Sequence, residues 1–326
     1  MRVGNNPAKS EDALNIKKPH RVIVVFYIPD TNSEYFANLD IVLDKCLTSL
    51  INTINKETTN ITLINNYSKK AVDEVVNKHI KFIDKYVQYL ENKGKVYAVL
   101  NEARSAFEEF VTIADADILF YNGWENAVFD VFANHPQAGV VSPHPCPYIT
   151  FYVNRSVFAF NSILGKIKYG KFVSDEDIDL YIKGVDLPNV INRNTKFNWK
   201  EKQFVLYKKK PVVIGAFHVV ATYRAEQFRG DYSFPFVKFK NHYEEKFIDA
   251  LCDKVGYYRL STVKSYIYHM GNTIDELSKI PEPEEQLILN PEIFSAIKLF
   301  EKKSKLKVQF IRAIGTIFMK YKWKKS

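Results

Sequence analysis

Apolar positions along this chain alternate between two periods. From Val22 to Ile28 every residue is apolar or aromatic, the run expected of a strand covered on both faces. Leu39, Val42, Leu43, Cys46, Leu47, Leu50, Ile51 and Ile54 then recur at intervals of three and four, which draws one face of a helix. Ile61–Ile64 predicts a second strand, and Val72, Val76, Ile80, Ile83, Val87 and Leu90 predict a second helix. Val96–Leu100 and Phe110–Ile113 read as two more strands, followed by a helix from Trp124 through Phe132 and a strand over Ala138–Ser142. Later, Phe247, Ile248 and Leu251 keep helical spacing up to Val255-Gly256, where glycine is the expected C-terminal residue, and Tyr257–Tyr268 is strand-like. Strands alternating with helices predict the α/β class. Such sheets receive ligands beyond the carboxyl ends of their strands.

One of those ends is acidic. Ala114-Asp115-Ala116-Asp117-Ile118 directly follows the run Phe110–Ile113. Residues two apart share a strand face, so both carboxylates can face one ligand, and left unpaired they repel and raise one pKa. Mg²⁺ or Mn²⁺ removes that conflict and holds a diphosphate at the same time. A solvated turn at the end of a strand uses the same letters. Glu244-Glu245 opens the later helix, where acidic residues also suit the helix dipole, and the strand after it ends in His269-Met270-Gly271. The order of the three features carries more weight than any one of them.

That order resembles the GT-A-fold glycosyltransferases, and most of all the large inverting family-2 group that uses nucleotide-diphosphate sugars. The resemblance rests on the opening strand and loop Arg21–Pro29, on Asn65-Asn66-Tyr67-Ser68 at the second strand's end, and on Asn101–Arg104 ahead of the Asp-x-Asp strand. It continues in Val213–His218, Tyr223-Arg224 and Phe228-Arg229-Gly230, and covers residues 21–145 and 212–272. It implies a GT-A-like sheet flanked by helices. By the resemblance, Asp117 binds the metal directly, Asp115 contacts the ribose or the metal's water shell, and His269 is the remaining protein ligand. Tyr27, Ile28, Asn65 and Arg104 fall with Asp115 on the donor side. Glu245, with Glu244 beside it, occupies the position of the base that deprotonates an acceptor hydroxyl as it attacks the anomeric carbon. Two departures stand out: Asn65 replaces the usual nucleobase-reading aspartate, leaving UDP- and GDP-linked donors both open, and Glu245 is one methylene longer than the usual Asp. A second acidic run, Ser174–Asp179, precedes the acceptor segment and reads as a solvated helix or loop.

Composition agrees with an enzyme of this size. The chain has 326 residues, 46% of them hydrophobic, enough for a substantial core. Its aromatic residues serve mostly that core, although sugar-stacking surfaces use them too. Cys46, Cys146 and Cys252 are few, odd in number and far apart, which argues against a disulfide framework and for a reducing compartment. Met1–Pro19 is polar, without a signal-peptide core, and no stretch approaches the roughly 20 apolar residues of a spanning helix. The expected location is the cytoplasm. The expected organisation is a polar segment 1–19, a catalytic domain 20–290 with a donor half 20–145, an insert 146–210 and an acceptor half 211–272, and a tail 291–326.

The tail changes the picture. From Lys298 to Ser326 there are ten Lys or Arg and one Glu, a net +9, equal to the +9 of the whole chain. Asn290-Pro291-Glu292 signals a helix start, and Ile293, Ile297, Phe300, Leu306, Phe310, Ile314, Ile317 and Tyr321 follow at helical spacing. A basic amphipathic helix of this kind suits an anionic membrane surface, each basic residue contributing about 1 kcal/mol there. A helix packed on the catalytic domain has the same stripe. No nucleic-acid motif accompanies the charge, so no nucleic-acid partner is expected. The combined expectation is a glycosyltransferase acting on a glycan or lipid-linked acceptor, peripheral on the cytoplasmic face of the inner membrane, in surface polysaccharide or glycolipid assembly. Two other readings remain: a sugar-phosphate nucleotidyltransferase, for which Tyr27–Ser33 lacks a Gly-rich phosphate loop, and a catalytically silent membrane-associated scaffold.

Overall fold

The structure is a computed structural model that describes residues 3–4, 18–30, 32–185, 198–229, 233–279, 287–299 and 303–325. Most of the polar segment 1–19, residues 186–197 of the insert, Gly230, and Phe300 with its two successors in the tail lie outside the described residues. The first half runs β1 (His20–Phe26), α1 (Leu39–Thr53), β2 (Thr59–Asn65), α2 (Asp73–His79), β3 (Lys85–Gln88), α3 (Lys95–Ser105), β4 (Phe110–Asp115) and β5 (Ile118–Phe120). It continues through α4 (Trp124–Asn134), β6 (Ala138–Ser142), α5 (Arg155–Ile163), β7 (Ile167–Gly170) and α6 (Asp175–Val185). The second half holds β8 (Gln203–Tyr207), β9 (Pro211–Ile214), β10 (Val220–Arg224), α7 (Ala250–Lys254), β11 (Tyr258–Ser261), β12 (Ile267–His269), α8 (Ile293–Ala296) and α9 (Lys305–Lys325).

One sheet organises these elements, in the order β3-β2-β1-β4-β10-β6-β11-β9-β8-β7. Its first four strands are parallel, and β10 enters antiparallel between β4 and β6. Alternation along β1 builds the layers. Val22, Val24 and Phe26 join Leu43, Leu47, Phe129 and Phe132 of α1 and α4 on one face, while Ile23 and Val25 join Val99, Ala103, Phe247 and Leu251 on the other. The sheet is therefore covered on both sides, as its apolar runs require. Strands β7 and β8, from the 146–210 region, extend the far edge of this same sheet.

Four predicted elements are corrected. Val96–Leu100 lies within helix α3, because Gly94 (φ 82°) starts a helix there and Val96, Val99, Leu100 and Ala103 bury one helical face. A five-residue apolar run does not distinguish the two periods. The predicted second helix stops short: Val87 pairs with Ile64 in β3, and Leu90 is 92% exposed. Tyr257–Tyr268 is two strands in two sheets, broken where Ser265 N–H donates to Asp177. In the tail, helix α8 is a single turn ended by extended Ile297, so the long helix begins only at Lys305. The acidic run Ser174–Asp179 spans the start of α6, with Asp175, Glu176 and Asp179 exposed, Ile178 buried and Asp177 half-buried against Ser265.

All three cysteines are buried and unpaired, and burial pushes each thiol well above its ordinary range. Among the described residues no helix is long and apolar enough to cross a membrane.

His135, at the end of α4, is buried, and burial lowers its pKa from 6.5 to about 4. It stays neutral when folded but protonates in the unfolded chain below pH 6.5. Its contribution is therefore intact above that pH and is lost on acidification toward pH 4, at about 1.4 kcal/mol per pH unit. Denaturant unfolding of wild type and His135→Gln at pH 7 and pH 5 checks this. The variant is expected to lose less stability on acidification, and equal losses would refute the burial argument.

Candidate active site

Strand β1 pairs in parallel with β2 on one edge and β4 on the other, so the strand order reverses there. At such a switch point a crevice lies beyond the carboxyl ends of the strands. Here the crevice is a cavity of about 360 Å³ whose lining includes Tyr27, Ile28, Asn66, Lys95, Asp115 and Asp117. A second cavity of about 530 Å³ is lined by Tyr152, His218, Tyr243, Glu244 and Glu245. Lys95, Lys238 and Phe239 belong to both walls.

Strand pairing sets the chemistry of the first cavity. The reversal of β10 beside β4 lets Asp115 N–H donate to Val219 O at 2.8 Å, which puts His218 next to the acidic end. Past that end, the chain pairs Ile118 of β5 with His269 of β12, and Met270 N–H donates to Asp117 O at 2.8 Å. His269 Nε2 consequently lies 3.2 Å from Asp117 Oδ2. The other carboxylate oxygen, Asp117 Oδ1, is buried without a hydrogen-bond partner. Asp115 turns the other way, onto Lys95 Nζ at 2.6 Å. Two of the three expected metal ligands therefore meet, and among the described residues no three His, Cys, Asp or Glu side chains form a ready cation cluster.

Lys95 links the two cavities. Its Nζ also lies 2.8 Å from Glu244 Oε1, so one ammonium holds carboxylates from both sides. The chain of charges goes on: Glu244 Oε2 is 3.4 Å from His218 Nε2, His218 Nδ1 is 3.2 Å from Asp249 Oδ2, and Asp249 Oδ1 is 2.9 Å from Arg259. Lys95 is aimed by its neighbours. Asn92 Oδ1 accepts from Gly94 N–H at 2.8 Å and from Asn66 Nδ2 at 3.0 Å, which fastens the start of α3 to the end of β2. A Cβ at Gly94 would meet Lys238 O at 2.0 Å, so only glycine allows this close approach.

Helix geometry supplies the His218 clamp. Residues Glu245–Asp249 form a π-turn ahead of α7, with Glu244 at its N-terminal edge. In an α-helix residues five apart point to different sides, whereas a wider π-turn brings them nearly into line, and such turns recur at functional sites. Glu244 and Asp249 accordingly reach the two nitrogens of one imidazole. Glu245, one position on, instead contacts exposed His242 at 3.2 Å.

The charges tune one another. Burial works against the Lys95 ammonium, but Asp115 and Glu244 hold its pKa above the ordinary lysine value. Burial raises the Asp115 pKa, with Lys95 opposing and Asp117 adding to the rise. For Glu244, burial is outweighed by Lys95 and His218, which hold the carboxyl below its usual range. Asp249 is drawn down to about 2 despite its burial, by Arg259 and His218. His218 and His269 are both raised against burial, by Asp249 and Asp117 respectively.

A family profile described as glycosyl transferase family 2 matches residues 41–223, more than half of the chain. The chain belongs to glycosyl transferase family 2. No curated protein sequence matches it. Among solved structures, S. aureus TarS 1–349 is 14% identical, with a TM-score of 0.46 over 76% of this chain and 59% of that one. The mannosyltransferase PcManGT from Pyrobaculum calidifontis, in complex with GDP-Man and Mn²⁺, is 16% identical with a TM-score of 0.44, over 76% of this chain and 55% of that one. This family-2 chain thus spans less than two thirds of the length of either.

In this family-2 fold the residues expected from sequence are only partly brought together. Tyr27, Ile28, Asp115 and Asp117 line the first cavity, and Glu244 and Glu245 the second. Asn65 does not line the cavity. Its Oδ1 accepts from Ser68 N–H at 2.7 Å and its Nδ2 donates to Tyr86, so it shapes the turn while Asn66 faces the crevice. Arg104 lies on the far end of α3, with its guanidinium 4.4 Å from the Phe234 ring centre. Sequence reading missed Lys95, Asp249 and the clamp on His218. A strand assignment over Val96–Leu100 concealed that Gly94-Lys95 starts a helix, and a π-turn has no sequence signature.

Asp249 and Arg259 are 0% and 1% exposed, so removing the arginine strands a buried anion. Arg259→Met is expected to cost about 3–5 kcal/mol in chemical denaturation. A loss below about 1 kcal/mol would mean that His218 and Tyr152, which both contact Asp249 Oδ2 at 3.2 Å, satisfy the carboxylate without the arginine.

Proposed function

We propose that this chain transfers a sugar from a nucleotide-diphosphate sugar to a hydroxyl of a glycan or lipid-linked acceptor, with inversion, at the cytoplasmic face of a membrane in surface polysaccharide or glycolipid assembly. The observation that carries the proposal is the pair of cavities divided by Lys95, one bearing Asp115 and Asp117 and the other Glu244 and Glu245. In this reading the first cavity takes the donor. Its diphosphate lies toward the N-terminus of α3, where the helix dipole and Lys95 favour an anion. The acceptor enters the second cavity.

Within the acidic pair, Glu244 is committed to Lys95 and His218, whereas among the described residues the ion-pair contact of Glu245 is with exposed His242. Glu245 is therefore the base. It takes the proton of the acceptor hydroxyl, that oxygen bonds to the anomeric carbon, and the bond from this carbon to the diphosphate oxygen breaks with its electron pair leaving on the diphosphate. Glu244 keeps Lys95 and His218 in place behind it.

The buried, unpaired Asp117 Oδ1 beside His269 fits a divalent cation, since a carboxylate and an imidazole suit Mn²⁺ or Mg²⁺ and a vacant carboxylate oxygen is costly without a partner. Asp117 and His269 would hold it, with Asp115 on release from Lys95, and the bound cation supplies positive charge to the departing diphosphate. A second reading is favoured by the contact of Lys95 with Asp115: the lysine itself provides that charge.

Calorimetry of UDP and GDP with Mn²⁺ and with EDTA separates these. Binding of one nucleotide that EDTA abolishes, and that Asp117→Ala or His269→Ala weakens, is the expected result. EDTA-resistant binding lost in Lys95→Met favours the lysine, and no binding of either nucleotide favours a silent scaffold. Glu245→Gln is expected to keep donor binding and lose transfer by about 10²–10⁴-fold. Full activity there, with loss in Glu244→Gln, would move the base by one residue.

A further inference from the structure

Helix α9 has two apolar faces. Val308, Ile311 and Gly315, spaced by three and four, form the inner one: the first two are 4% and 5% exposed, and a Cβ at Gly315 would lie 1.8 Å from Arg155 O of α5. Arg312 locks this face, its Nε 3.0 Å from Asp253 Oδ2, while Asp253 Oδ1 accepts from Ser156 N–H at 2.7 Å. Asp253 belongs to α7, the helix that the Glu244-Glu245 turn begins. The tail is thus fastened backbone-close to the body. Its outer face is different. Leu306, Phe310 and Ile317 are 79%, 63% and 67% exposed, and their spacing of four and seven puts them on one line, opposite the packed one.

We infer that this outer line is a docking surface for an anionic lipid bilayer. The charge pattern selects that occupant. From residue 303 to 325 the sequence has seven Lys, one Arg and no acidic residue. Between Lys307 and Lys320 the only charge is Arg312, which is engaged by Asp253. An uncharged middle flanked by lysines lets the apolar line enter the acyl boundary while the lysine stems reach out to head groups. A second copy of the helix would bring lysine clusters of like sign together, which an anionic membrane does not. The inference deepens the membrane part of the proposed function and is independent of the transfer chemistry. It also removes the choice between a tail that packs and a tail that binds membrane, because the two uses occupy opposite faces.

The test is co-sedimentation of the full chain with vesicles of phosphatidylcholine alone and of equal parts phosphatidylcholine and phosphatidylglycerol, at low and high salt. Binding to the anionic vesicles alone, weakened by salt, is expected. Phe310→Ser with Ile317→Ser should reduce it by about tenfold or more, since each side chain forfeits its burial in lipid. Replacing Lys305, Lys307, Lys320 and Lys324 with Gln should reduce it comparably. Equal binding to both vesicle types, no binding, or unaltered binding by the serine variant would overturn the inference. So would a wild-type oligomer, seen by size exclusion without vesicles, that the serine variant dissociates, because a second copy then occupies the line. Nucleotide calorimetry on the same variants should match wild type. Loss of nucleotide binding in wild type with vesicle binding intact would sink the transferase reading alone.

Discussion

The site depends on one lysine held between two acids. Lys95 draws Asp115, from the end of β4, and Glu244, from the turn before α7, to a single ammonium. Asp115 and Glu244 would otherwise face each other across the junction of two cavities as like charges in a partly buried setting, which is unfavourable for both. The lysine offsets that repulsion. Its own position follows from the Asn66–Asn92 clasp and from the close passage of Lys238 over Gly94, so the electrostatics of the site rest on the backbone path around α3.

Behind the lysine the network grows more buried and more fixed. His218 is exposed enough to face the second cavity, but Asp249 and Arg259 at its back are almost inaccessible. Arg259 also donates to the backbone carbonyls of Asp249 and Ala216, which ties the π-turn to the loop that precedes His218. A buried ion pair of this kind contributes little net stability, yet it fixes geometry because any other arrangement strands a charge. The side chains nearest solvent remain adjustable while their supports do not.

Much of this was legible in the sequence, and the parts that were not share a cause. Continuous apolar runs such as Val22–Phe26 and long periodic helices such as Leu39–Thr53 announce themselves because burial on a sheet or a helix face leaves a period. The acidic positions Asp115 and Asp117 and the distant His269 were readable as an ordered series, and β5–β12 pairing brings the last two together. Short elements were misread where one apolar run fits both periods, as at Val96–Leu100. Asn65 and Arg104 were placed by resemblance alone, and each is engaged elsewhere by contacts that depend on tertiary packing, the turn to Ser68 and the ring of Phe234. Lys95 and Asp249 escaped notice because a lone lysine or aspartate has no pattern until the fold gives it a partner.

The three cysteines, spread from α1 to α7, are sealed in the core with their thiols pushed far from the reactive thiolate form. Chemically the folded protein therefore presents a silent sulfur background. A single cysteine introduced at an exposed position will be the one that reacts, so a fluorophore or spin label can be attached there without first removing the native residues and disturbing the packing they complete.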